Sequence, residues 1–406
     1  MSFTLQPRTD PGRPLVALAE RLADRLAATA ERHDRDRSYP FESIDALRRA
    51  RYFAAPVPAE LGGLGVESVH DVVVASSRLA RGDASVAIGV NMHLTALLNV
   101  VRRYRMAVAA GNERRAAAFG ASLRAIVDDG VVMAAAISEP NQDLTRPSTR
   151  ATRTATGWRI DGRKVFCTMS PAATVLYTAV SFVDGDGAER YGFAQIPVGT
   201  PGLLVHDDWD ALGMRASGSH SVTLEGVELP AGALRGGFRT GDPVPYMERN
   251  LTAGLFHASA SLGIAEGAHA LATNALTRRA VGADARSRVL AAEAAIDLSA
   301  ARAVLGRAAS LVDDHYAANA TSDGADEEIV GLFTEAQAAK TFVNEAAARV
   351  VDRALALSGG AGYMSGHPLS RAYRDVRAGA FMHPLGANRA YELVGAAELG
   401  LEPTLH

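Results

Sequence analysis

The chain has 406 residues, 48% of them apolar, which is enough for a large buried core or for two or three packed subdomains. Forty-two Lys and Arg against 45 Asp and Glu leave a formal net charge of -3, so nothing favours a nucleic-acid-binding surface, and the ordinary apolar fraction argues against disorder. The one cysteine, Cys167, excludes a disulfide framework and a multi-thiolate zinc or iron–sulfur site. The opening MSFTLQPRTDPGRP lacks the order of a secretion signal, and no uninterrupted apolar run reaches the length of a bilayer span. A soluble, cytoplasmic protein without membrane or nucleic-acid partners is expected.

Three blocks follow one another. From Pro14 to about Val132 the pattern is helical: LVALAERLADRLAATAERH repeats apolar residues at three- and four-residue spacing. SYPFESIDALRRARY has a helix start at Ser38 and Pro40, PVPAELGGLG is a loop, and the helical stretch from Val66 breaks around Gly82 and Asp83. Near Val131 the character changes to short runs rich in Val, Ile and aromatic residues, separated by Gly/Asp turns, with a hairpin candidate beginning at Val183. After Pro245 long Ala-rich helices resume, joined by an exposed ATSDGADEE link, and antiparallel packing into a bundle is the default. The expected fold is mainly α with a central β domain: helical residues 1–130, a β-barrel or sandwich over 131–240, and a four-helix bundle over 241–406.

Most chemistry-bearing motifs are missing. The eleven histidines form no HxxxH or HExxH pair, so no metal site is expected. Asp184 and Asp186 open like a calcium loop, but no acid stands at its twelfth position. Nucleophile-elbow and Walker patterns are absent, and the glycines at 360 and 362 follow a helix, not a strand, which weakens a Rossmann reading. Cys167 reads as a small buried strand residue. Two histidines stand out. His93 lies in the apolar IGVNMHLTALL and reads alone as a core histidine, whereas His383 lies in GAFMHPLGAN, a Gly/Pro-interrupted segment where a polar side chain often has a purpose.

The chain resembles the acyl-CoA dehydrogenase superfamily over nearly its whole length. The resemblance is carried, in family order, by PVPAELGGLG, Ala136-Ile-Ser-Glu-Pro140, Gly162-Arg-Lys-Val-Phe-Cys-Thr168, Leu212-Gly-Met-Arg-Ala-Ser-Gly-Ser219 with Val227-Glu-Leu-Pro230, and Gly359-Gly-Ala-Gly-Tyr363 with Leu369-Ser-Arg-Ala-Tyr-Arg-Asp375. It implies a flavin cofactor, FAD or FMN. Ser138 and Thr168 would hydrogen-bond the flavin, Phe166 would cover one ring face, and Thr145 would be a further hydroxyl donor. Arg278, Gly359 and Gly360 would approach the cofactor's phosphate end, often that of a neighbouring subunit. A flat amphipathic ring needs such an apolar wall and a few donors at its edge. A homodimer or homotetramer is implied with it.

The departures from the family pattern carry the functional expectation. Its dehydrogenases need a carboxylate to take the α-proton of an acyl thioester. The commoner position for that acid, about nine residues after the Arg of the RD pair, is His383 here, and the other known position is Ala253. Glu248 is near in sequence, but helical rise puts it about 7 Å along the axis from position 253. An imidazole at 383 resembles the superfamily's flavin-dependent monooxygenases. These take reduced flavin from a separate reductase, form a flavin C4a-hydroperoxide and transfer oxygen to carbon, nitrogen or sulfur of a small molecule. An imidazole with an ordinary pKa near 6.5 suits donation to the peroxide or acceptance of a substrate proton, and in this family context His93 becomes a second polar group facing the flavin. The turn Arg278-Arg-Ala-Val-Gly282 keeps the family's arginine but lacks its aromatic, and a glutamine expected before Gly359 is Ala356, which suits a flavin that exchanges as a reduced co-substrate. The pocket would be lined near Phe256 and His257. The competing readings are an FAD-dependent acyl-CoA or acyl-carrier-protein dehydrogenase, and a catalytically degenerate structural paralogue.

Overall fold

The structure is a computed structural model that describes residues 3–140, 143–278, 283–402 and 405. Five helices come first: α1 (Gly12–Asp36), α2 (Phe41–Arg49), α3 (Val69–Gly82), α4 (Ala84–Ala109) and α5 (Glu113–Asp128). In α1 the buried Leu15, Ala19, Leu22 and Leu26 recur every three or four residues and form the stripe that packs on α3. The break between α3 and α4 has a local cause. Asp83 takes an extended conformation (φ -147°) and its carboxylate accepts from the amides of Ser85 and Val86, capping α4. By length and composition α4 is the one described helix that is long and apolar enough to cross a membrane, and 78% of its most apolar window is buried inside the fold.

The central domain is one eight-stranded sheet of β1 (Met133–Ala136), β2 (Arg150–Arg153), β3 (Gly157–Cys167), β4 (Val175–Val183), β5 (Glu189–Pro197), β6 (Leu203–Val205), β7 (His220–Pro230) and β8 (Leu234–Arg239). Its order is β6-β7-β3-β2-β4-β5-β8, with β1 added in parallel to β4. The β4–β5 hairpin turns at Asp184, whose carboxylate accepts from the amides of Asp186 and Ala188 and from Arg190, so that acid closes a turn. Trp158, Ile160, Val180, Ile196 and Val222 fill a core within this domain.

After the sheet come α6 (Val244–Arg249), α7 (Ala253–Thr277), α8 (Ala285–Ala318), α9 (Asp326–Ser358), α10 (Gly360–Tyr363), α11 (Pro368–Val376) and α12 (Ala387–Glu398). The long α7, α8 and α9 pack against one another, α11 and α12 lie on α9, and α3 lies on α7. Close approach is built into the sequence: a Cβ on Gly263 of α7 would stand 2.2 Å from the carbonyl oxygen of Ser77 on α3. Leu15, Val73, Phe256 and Phe333 therefore share one core that joins the N-terminal helices to the bundle. The protein is mainly α with a central β domain, and a cleft opens where α4, the sheet and α6 meet.

Candidate active site

Two adjoining cavities occupy that junction. The outer one, about 620 Å³, lies between α4, α5, β5, β8 and the turn between α8 and α9, and its wall carries Arg103, Arg115, Arg235 and Arg249. The inner one, about 40 Å³, is bounded by Met92, Thr95, Asn99, Ile137, Tyr246, Asn250, Ala253 and His383. Ala96, Asn99, Tyr177, Phe193 and Arg249 border both, so the outer cavity leads to His383. Tyr177 and Phe193 stack with centroids 5.0 Å apart and an 8° interplanar angle, which gives the passage a flat aromatic floor.

His383 sits on the turn before α12. Its Nε2 is 3.0 Å from Asn250 Oδ1 and 3.2 Å from Tyr246 Oη. Asn250 donates its own amide N–H to the Tyr246 carbonyl, so its oxygen faces the ring; this network places the imidazole proton on Nε2 and leaves Nδ1 as the lone-pair nitrogen. Burial, reinforced by Lys340 and Arg389, pushes the His383 pKa down to about 3. The expectation of an imidazole poised near 6.5 is thereby corrected: burial holds the ring neutral at physiological pH.

Neither of the family's base positions holds a carboxylate, and none lines the inner cavity. Glu248 is buried beneath the arginines, 3.3 Å from Arg102, 2.5 Å from Arg103 and 3.6 Å from Arg249, and borders neither chamber. Phe256 and His257 are buried as well and line neither cavity; Ala253 forms the wall where they were expected.

His93 corrects a second expectation. Its Nε2–H donates to the Phe53 carbonyl at 2.9 Å, and its Nδ1 accepts from the Met133 amide at 3.0 Å. Both nitrogens are committed to backbone, and burial pushes the pKa down to about 4, so the ring joins α4, the Phe53 turn and β1 and has no nitrogen left for a flavin. His93→Phe should strand two buried backbone groups and lower stability by about 2 kcal/mol at neutral pH. A depressed folded-state pKa means that the contribution of the native ring is complete above about 6.5 and disappears as pH falls towards about 4. Denaturant melts should therefore show the gap between wild type and variant closing over that window.

The residues expected at the flavin fall into two groups. Ser138, Phe166 and Thr168 lie together: the Val165 amide donates to the Ser138 carbonyl at 2.9 Å, and Thr168 Oγ1 is 2.9 Å from Ser219 Oγ. A register shift in the β3–β7 pairing puts Phe166 at φ 57° and turns its side chain out, 63% exposed, with one edge on Trp209. Beneath them Lys164 Nζ donates to Glu139 and Ala179 at 2.7 Å each, and Glu139 also accepts from Ser148 and Thr149, which fixes the strand end that carries Ser138. An exposed aromatic face with the Thr168–Ser219 hydroxyl pair beside it fits a flavin ring. Thr145 does not belong to this group; its hydroxyl donates to Asp143 at 2.7 Å inside a buried turn. Arg278, Gly359 and Gly360 form the second group, exposed at the C-terminal ends of α7 and α9, about 36 Å of helix from the start of α7 near His383. Added Cβ atoms on both glycines would meet open space, and Gly359 has φ 65°, a left-handed conformation that glycine takes without strain. The remainder of the turn expected at Arg278, residues 279–282, lies outside the described residues.

Sequence reasoning missed Tyr246 and Asn250, the partners of His383, and the arginines of the outer cavity. One signal was available. The chain has 40 arginines and only two lysines, Lys164 and Lys340, and both are buried where three acceptor oxygens converge.

Family models for the acyl-CoA dehydrogenase N-terminal, middle and C-terminal domains match residues 15–105, 134–227 and 255–384. The chain is 34% identical to L-evernosamine nitrososynthase from Micromonospora sp. over 403 residues, covering 98% of this chain and 92% of that protein. It is 33% identical to the amino sugar nitrososynthase DnmZ of Streptomyces peucetius, covering 97% and 95%. Among solved structures, KijD3 in complex with FMN and dTDP-3-amino-2,3,6-trideoxy-4-keto-3-methyl-D-glucose superposes with a TM-score of 0.91 at 33% identity, covering 100% of this chain and 98% of that one. The chain belongs to the acyl-CoA dehydrogenase superfamily and is a flavin-dependent, monooxygenase-like oxidoreductase within it.

Proposed function

We propose that this enzyme oxygenates the amine nitrogen of a nucleoside-diphosphate-linked amino sugar. The carrying observation is a pair of adjoining cavities with shared walls, the outer one carrying arginines and the inner one ending at a neutral imidazole with no carboxylate beside it. A thioester dehydrogenase needs an acid there. An amine oxygenase instead needs an unprotonated nitrogen held in a dry site, and the small chamber whose burial keeps His383 neutral disfavours an alkylammonium in the same way. His383 Nδ1 accepts an N–H of the amine and aims the nitrogen lone pair. Arg115 and Arg235 have no carboxylate partner among the described residues, line the outer cavity and match the two charges of a diphosphate.

Bound reduced flavin supplies the electrons that activate dioxygen. In the overall balance, amine, dioxygen and reduced flavin give hydroxylamine, water and oxidised flavin. A second round carries the hydroxylamine to a nitroso group with release of two waters. FMN or FAD, held by Ser138, Phe166 and Thr168, arrives reduced from a separate reductase, and Arg278, Gly359 and Gly360 meet the cofactor of a neighbouring subunit in a homodimer or homotetramer. The relatives named nitrososynthases and the ligands of KijD3 support this reading.

The test gives the anaerobic protein reduced FMN, then dioxygen, with or without the dTDP-3-amino sugar of the KijD3 complex. Hydroxylamine or nitroso product by mass spectrometry is the expected result. Anaerobic bleaching of an oxidised flavin complex by an acyl thioester, with the amino sugar left unoxidised, would sink the proposal.

A further inference from the structure

Lys340 is an expensive residue where it stands. It lies mid-helix on α9, is 2% exposed and has no carboxylate partner among the described residues; burial alone draws its pKa down to about 7. A methionine of similar length would fill the same space without that penalty. What the ammonium does have is three oxygens of a single turn: the carbonyls of Met382, His383 at 3.3 Å and Leu385 at 2.6 Å. One turn further along α9, the Asn344 amide donates to the Gly379 carbonyl at 2.9 Å. Three N–H bonds on one atom can converge on three carbonyls in this way, whereas a planar guanidinium fork cannot. In a chain with forty arginines and only one other lysine, Lys164, that geometry is a reason for lysine here.

We propose that Lys340 is a positioning residue for oxygen transfer: its ammonium gathers the carbonyls of Met382, His383 and Leu385, and so fixes the His383 imidazole against Asn250 and Tyr246 at the end of the substrate cavity. The group touches no reacting atom and acts through the turn. The inference rests on the reading of His383 given above, but its structural half does not depend on flavin. Other ionisable groups near the turn leave the clamp to Lys340. His257 on α7 is held neutral by burial, Arg389 on α12 donates to the Leu405 carbonyl, and Glu345 accepts from Tyr391.

The test compares the full-length wild type with Lys340→Met and Lys340→Arg at pH 6, where the amine is protonated. Hydrogen exchange read by mass spectrometry over residues 378–387 should be at least tenfold faster in both variants. The melting temperature of Lys340→Met should move by no more than a few degrees, because relief of the buried charge offsets the three carbonyls left without their donor. With reduced FMN, dioxygen and the dTDP-3-amino sugar, both variants should release several-fold more hydrogen peroxide per dioxygen consumed. Wild-type exchange in Lys340→Met would overturn the proposal, and so would faster exchange with unchanged peroxide release. Full rescue by Lys340→Arg would overturn the argument from ammonium geometry. If the wild type itself oxidises no amine, the functional reading fails, and the exchange data alone decide whether Lys340 holds the turn.

Discussion

His383→Ala is expected to lower the N-oxygenated product formed per dioxygen consumed by about two orders of magnitude, with hydrogen peroxide making up the difference. The size of the effect follows from the absence of a substitute. The inner cavity is lined by Thr95, Asn99, Tyr246, Arg249 and Asn250 besides Tyr177 and apolar groups; the Arg249 guanidinium can only donate, and no other lining group carries a ring nitrogen that accepts as an imidazole does. Removing the ring deletes the acceptor that orients the amine and opens space for water, and water at the reacting centre diverts activated oxygen to peroxide. The turn should stay folded in the variant, because Lys340 and Asn344 bind its backbone. His383→Gln, which keeps an acceptor, should lie between wild type and alanine. The pH dependence gives an independent check. Because burial holds the His383 pKa near 3, the ring stays neutral at every pH well above that value, and coupling should show no inflection near 6.5 attributable to it. An inflection near 6.5 that vanishes in His383→Ala would show the imidazole working as a proton-holding base. Unchanged coupling in the variant would remove it from the mechanism.

What the sequence made legible depended on how local each signal is. The Gly82–Asp83 break was readable because an N-cap is written within four residues, and β3, β4, β5 and β7 were readable because each is long enough to carry its own run of β-branched and aromatic residues, whereas the short β2 and β6 were not. The swap of acid for imidazole at 383 was readable because the RD pair fixes the count. Titration behaviour was not, since it is set by burial and by Lys340 and Arg389, which come from other helices. His93 looked like a site residue because its helix lines the cavity through Met92, Thr95 and Asn99, yet His93 lies on a different helical face, against Phe53 and β1. Thr145 failed for a similar reason: a hydroxyl two residues after an aspartate has a nearer acceptor than any cofactor. The short β8, with Gly236 and Gly237 in its middle, gave no strand signal at all, although Arg235 on that strand lines the cavity.

Replacing Arg115 and Arg235 with alanine is the second large effect. Each substitution should raise the KM for a dTDP-linked amino sugar about tenfold, and the pair should raise it about a hundredfold with kcat nearly unchanged, since a charge-assisted hydrogen bond to phosphate is worth about 1.5 to 3 kcal/mol. These two arginines are singled out by what they lack. Arg103 and Arg249 border the same cavity, but both reach the buried Glu248, and Arg103 also reaches Asp323, so removing either would weaken a buried ion-pair network and confuse binding with folding. Arg115 and Arg235 are exposed and have no such partner among the described residues, so truncation leaves nothing buried unpaired. Arg235 lies over the ring of Phe119, centroid distance 5.6 Å, which keeps its guanidinium at the cavity wall without using its hydrogen bonds. Because both side chains are wet, the KM difference should shrink as ionic strength rises. An amino sugar without the nucleotide supplies the control, since it reaches His383 but offers no phosphate and should lose nothing in the double variant. Equal losses on both substrates would mean that the cavity has collapsed. No loss on the dTDP-linked sugar would mean that the arginines face no phosphate, and the substrate would then have to be sought among amines that carry no anion.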